Sequence, residues 1–114
     1  LTSAELWRAL LVRAGTSGYE IHTRPRISIK PRWFWVSVVG DTLFIDNAQQ
    51  HVPSVRLSRA RRISFKDFDY VYGCYVRHKG NAAKAKREAV KKSRNTIYIV
   101  AMIEEANSHY RAVT

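Results

Sequence analysis

The chain has a single cysteine, Cys74. That excludes an internal disulfide and any cysteine-rich metal centre, and it suits a reducing cytoplasm. Cys74 itself reads as a buried small apolar residue in a helix. Long hydrophobic runs are also missing. The longest, Trp33 to Val39, is broken by Ser37 and has the length of a strand, not of a membrane span. The N-terminal segment from Leu1 to Ala14 carries Glu5, Arg8 and Arg13 within its apolar pattern, so it lacks the uninterrupted stretch of a signal peptide. With no initiator Met, the first residues are expected to be missing or trimmed. No internal repeat is visible, and only the Ala/Lys stretch near residues 82–92 approaches low complexity.

Acids are scarce. Nine Asp and Glu face twenty Lys and Arg, giving a net charge of +11 and a pI near 10.3. A hydrophobic share of 46% is enough to fill one modest core, so residues 1–114 are expected to form a single domain. The excess positive charge opposes compaction, and a polyphosphate backbone is the commonest partner that offsets it. The charge is also segregated. Residues 24–32, 56–66 and 77–94 hold seventeen of the twenty cations and, of the nine acids, only Glu88. Separation of this kind favours a binding patch over general solubility.

The pattern predicts an α+β fold: an N-terminal helix, a small antiparallel meander with a hairpin at 33–46, then three helices. Thr2 with Glu5 forms a capping box, Leu6, Trp7, Leu10, Leu11 and Ala14 follow helical spacing, and Gly15 supplies the stop. Tyr19, Ile21 and Thr23 alternate with polar residues as a strand. Ile27 and Ile29 continue that alternation, while Pro25 and Pro31 place the segment at an edge or bend. Gly40-Asp41 suits a type II′ hairpin turn in which Val38 faces Leu43 and Val36 faces Ile45, with Phe34 on the same core side. Residues 54–58 and 61–63 read as further short strands. Ser64 starts a helix with Phe65, Phe68, Tyr72, Tyr75 and Val76 as its stripe, and Gly80 ends it. Asn81 caps a second helix to about Lys92. Asn95 or Thr96 caps a third that should be buried on much of its circumference.

Three constellations point to nucleic acid. Lys84, Arg87 and Lys91 form a ridge on the middle C-terminal helix, opposite Ala82, Ala85 and Ala89, and this ridge could run along phosphates or enter a groove. The turn at 77–81 resembles helix-turn-helix punctuation, except that Lys79 and Asn81 flank Gly80 where apolar residues should point inward. Arg56, Arg59, Arg61 and Arg62 beside Ser54, Ser58 and Ser64 suit a phosphate clamp. Trp33, Trp35 and Phe44 share one hairpin face, where they either stack unpaired bases or lie under the N-terminal helix as core. The expected phosphate contacts are completed by Arg24, Arg26, Lys30 and Arg32, and by Arg77, Lys79, Lys92 and Arg94.

Catalytic signals are weaker. His22, His51, His78 and His109 show no metal-ligand spacing, and the acids form no set that a metal-dependent nuclease would use. No metal or cofactor is expected. The expectation is a cytoplasmic, non-enzymatic domain, nucleoid association included, that binds DNA ahead of RNA and no membrane, with oligomeric state open and a homodimer included. Two alternatives remain. A metal-free ribonuclease of small basic toxin type would use His22, His51 and His78 with neighbouring Arg and Tyr. A basic interaction module would take an acidic protein partner.

Overall fold

The computed structural model describes residues 1–25 and 28–113, with side chains described as far as Ser108. The elements run α1 (Ser3–Ala14), β1 (Tyr19–His22), β2 (Trp33–Val39), β3 (Thr42–Asn47), β4 (Arg61–Ile63), α2 (Phe65–Arg77), α3 (Ala82–Ala89) and α4 (Thr96–Val113). The four strands form one antiparallel meander in the order β1-β2-β3-β4. This is the expected α+β arrangement of one helix, a small sheet and three helices.

The local signals act as the chain predicts. The Thr2 hydroxyl accepts from Glu5 N–H while the Glu5 carboxylate accepts from Thr2 N–H, closing the capping box. Ser64 and Asn81 accept from Asp67 and Lys84 N–H and cap α2 and α3. At the hairpin, Gly40 has φ +64° and Asp41 keeps a negative φ, as a type II′ turn requires. The register pairs Val38 with Leu43 and Val36 with Ile45.

Strand alternation then sorts the sheet into two faces. Ile21, Phe34, Val36, Leu43, Ile45 and Ile63 are all buried and share one core with residues of all four helices. Burying each such side chain contributes about 1.5–3 kcal/mol. α4 lies at the centre of the helical layer, with Tyr98 to Ile103 buried without interruption. The helices thus pack on one side of the sheet, with α1 and α4 against the strands and α2 and α3 against other helices, and the other side is left to loops.

Five expectations need correction. β1 stops at His22. Ile29 sits exposed in a bend, not in a strand, and Ile27 and Arg26 lie outside the described residues. Residues 54–58 form no strand; only Ser54 bridges to Trp33, because the segment is carried by side-chain bonds from Asn47. The buried stripe of α2 is Phe68, Val71, Cys74 and Tyr75, while Phe65 and Val76 are exposed, because α2 is covered from both flanks by α1, α3 and α4. α3 ends at Ala89, short of Lys92. Neither Asn95 nor Thr96 caps α4 with its side chain: the Asn95 amide donates to Asp67 (3.1 Å) and the Thr96 hydroxyl to the Ser93 carbonyl (2.8 Å).

Candidate nucleic-acid interface

Beyond His22 the chain leaves the sheet but stays tied to it. Thr23 N–H donates to the Arg32 carbonyl (2.9 Å), and Arg32 N–H donates to the Thr23 hydroxyl (3.0 Å). Trp33 N–H donates to Pro53 and Val55 N–H donates to Trp33, which lays residues 53–56 against the start of β2. The Lys86 ammonium reaches across from α3 to the Arg24 carbonyl (2.7 Å). These bonds frame a hollow of about 490 Å³ at the end of the sheet, on its helical side. Arg24, Lys30, Arg32, Arg56 and Lys86 line it, and Pro25, Ile29, Val55, Ile97 and Tyr98 give it an apolar part.

A second hollow of about 330 Å³ adjoins the first through Arg56 and is lined by residues 56–61 and Arg94. Its wall is held by the Asn47 side-chain amide, which donates to the Leu57 carbonyl (3.0 Å) and accepts from Leu57 N–H (2.7 Å). Arg61 donates to the Arg94 carbonyl and places its guanidinium 5.7 Å from the Tyr98 ring centre. Together the two hollows bring in Arg24, Lys30, Arg32, Arg56, Arg59, Arg61, Lys86 and Arg94, with no carboxylate in either lining.

The acids are engaged elsewhere. Glu5 serves the start of α1, Asp67 accepts from the Asn95 amide, Glu104 accepts from Tyr75, and Glu105 pairs with Arg13. Glu20 is nearly fully buried and accepts from Gln49, Gln50 and His51 N–H and from His51 Nδ1. Burial alone would raise its pKa; the four hydrogen bonds outweigh that and lower it. None of the eight cations of the hollows has an ion-pair partner among the described residues.

Other residues from the sequence pattern take different places. On α3, Ala85 and Ala89 are buried while Lys84 and Arg87 on the helix and Lys91 just beyond it face solvent; Lys86, on the flank, turns to the first hollow. Lys92 leans over the Tyr70 ring at 5.8 Å. Arg77, although largely exposed, is paired with Glu88, which offsets its charge. The Arg77, His78 and Cys74 hydrogen bonds hold the Glu88 carboxyl down at about 2. Burial, with the Glu88 contact, pushes the Cys74 thiol up, away from nucleophilic reactivity. Lys79 borders a separate hollow with Tyr72 and Glu104. Arg61 and Arg62 are split by strand alternation: Arg61 pairs with Ile45 on the core side, and Arg62 pairs with Phe44 on the outer face. The two side chains therefore leave the strand on opposite sides. The first hollow also uses Lys86, Val55, Ile97 and Tyr98, which no local pattern singled out.

The aromatic face is not covered by the N-terminal helix as core. Trp33, Trp35 and Phe44 lie on the outer side of the sheet, away from α1, and are half-buried by loops. Trp35 packs on Gly18, where a Cβ would come within 2.7 Å of the indole nitrogen. His51 stacks on Trp33 at 3.9 Å between ring centres, and His22 approaches the same ring edge-on at 4.9 Å. His78 lies elsewhere, bonded to Glu88 (2.9 Å), and the His109 side chain is outside the described residues.

Among the described residues no three His, Cys, Asp or Glu side chains are grouped to hold a metal, and no helix is long and apolar enough to cross a membrane. Comparison with family models, curated proteins and solved structures finds no match.

Proposed function

We propose that this chain is a nucleic-acid-binding domain that holds the phosphates of duplex DNA in the two adjoining basic hollows, with the α3 ridge as a flanking contact. One observation carries the reading: eight cations drawn from three distant segments converge without a carboxylate among them. Unpaired cations crowded together repel one another, and an external polyanion relieves that repulsion. Four of them are arginines on or beside the 56–61 segment, whose forked donors match phosphate oxygens. Such binding belongs to an intracellular compartment that holds nucleic acid.

The test is fluorescence anisotropy with a short labelled DNA duplex, comparing the native chain with Arg56→Glu/Arg59→Glu. The native chain should bind, and the variant should bind at least tenfold more weakly while keeping its circular dichroism spectrum. Equal binding by both overturns the proposal. Binding to a polyglutamate peptide but to no nucleic acid would point instead to an acidic protein partner.

A second reading has its own observation. His22 and His51 both lie against Trp33, and each engages its Nδ1, with the Thr23 carbonyl and with Glu20 respectively. Nε2 of each is left for proton transfer, which a metal-free ribonuclease needs from a base and an acid. Incubation of labelled RNA in EDTA tests it. Cleavage that disappears in both His22→Ala and His51→Ala would establish this activity, and intact RNA would exclude it.

A further inference from the structure

The first hollow has a composition that phosphate binding alone does not explain. A surface that only tracks a duplex backbone needs cations and polar donors. Here the cations surround an apolar part made by Val55, Ile97, Tyr98 and Ile29. Ile97 and Ile29 remain 47% and 48% exposed, large apolar surface kept open beside five arginine and lysine side chains. The Nε of Arg24 is buried and has no hydrogen-bond acceptor among the described residues, although it borders this hollow. A buried guanidinium nitrogen without an acceptor is costly, and a bound anion removes the cost.

The ligand that matches is flat and apolar at one end and anionic at the other. The phosphates of an intact duplex cannot bring a base with them, because their bases are stacked and paired inside the helix. A nucleotide freed from pairing can. From this we infer that the first hollow receives one unpaired nucleotide, with its base against Val55, Ile97 and Tyr98 and its phosphate on Arg24, Arg32 and Arg56. The second hollow and the α3 ridge then hold the adjoining duplex. The inference rests on the nucleic-acid reading above and makes it specific: the preferred substrate is a junction between paired and unpaired strand.

Three DNA probes of equal charge test this by anisotropy at one salt concentration: a blunt duplex, a duplex ending in a few unpaired 3′ nucleotides, and the same end with abasic sites in place of those nucleotides. The overhang should bind about tenfold more tightly than the other two, since one base stacked on protein is worth roughly that factor or more. In Ile29→Ser/Ile97→Ser, whose sites are half-exposed and so spare the core, the ratio of overhang to blunt affinity should fall towards one. Equal affinity for all three probes overturns this inference and leaves the backbone-binding reading intact. Binding to none of them overturns both. Tight binding of free AMP with no overhang preference also overturns it, since the ligand would then be a free nucleotide and not a strand end.

Discussion

Arg56 lines both basic hollows, so replacing it with Ala perturbs the proposed interface at its centre. Its effect should appear in salt dependence before it appears in raw affinity. Each phosphate neutralised on duplex DNA contributes about −0.9 to the slope of log K against log salt. If all eight cations of the hollows engage phosphates, the slope is about −7. Between 50 and 200 mM salt such a slope lowers affinity by about 10⁴-fold. Arg56→Ala should make the slope shallower by about 0.9, and Arg56→Ala/Lys86→Ala by about 1.8. Arg77→Ala supplies the contrast, because Glu88 already neutralises that guanidinium and its loss should leave the slope unchanged. Anisotropy titrations at four or five salt concentrations measure all of these. A native slope shallower than about −3, or an equal change for Arg56 and Arg77, would refute the reasoning.

Three further outcomes concern the scaffold. Gly18→Ala combines a left-handed backbone (φ +70°) with a Cβ 2.7 Å from the Trp35 indole, so it should cost about 2–4 kcal/mol in urea denaturation; Gly40→Ala, strained but open (φ +64°), should cost only about 1–2 kcal/mol, and equal losses would discount the Trp35 contact. Glu88 is held at about 2 against an ordinary 4.5, a depressed carboxyl whose contribution is complete above 4.5 and lost as pH falls through 2. Glu88→Gln should therefore be less stable at neutral pH and show a flatter acid limb over that window; curves that run parallel to the native protein's would sink the assignment. Glu20→Ala removes the acceptor of three backbone N–H groups, so hydrogen exchange at Gln49, Gln50 and His51 should accelerate, and unchanged protection would mean that the loop is held by something else.

The sequence by itself determined the features whose causes lie within a few residues. The Thr2–Glu5 box, the Ser64 and Asn81 caps and the Gly40-Asp41 turn each need only neighbours in the chain, and the turn sets the register of β2 on β3. Burial of α4 from Tyr98 to Ile103 followed from the apolar run there, and the Ala-backed ridge of α3 from helical spacing.

Tertiary structure decided what those elements face and which charges remain free. Alternation places Trp33, Trp35 and Phe44 on one side of the hairpin, but only packing shows that the helices take the opposite side and that loops and histidines cover this one. The stripe of α2 shifted because its burial is set by three surrounding helices, which local periodicity does not specify. Charge counting treated Arg77 and Arg56 alike, yet one meets Glu88 and the other has no ion-pair partner among the described residues, because Coulomb interactions depend on distance in space. The first hollow joins Arg24, Arg56, Lys86 and Ile97, and the Glu20 carboxylate gathers the N–H groups of residues 49–51. Contacts between segments so far apart in the chain leave no periodic signal, since they arise only when the elements dock on a shared core.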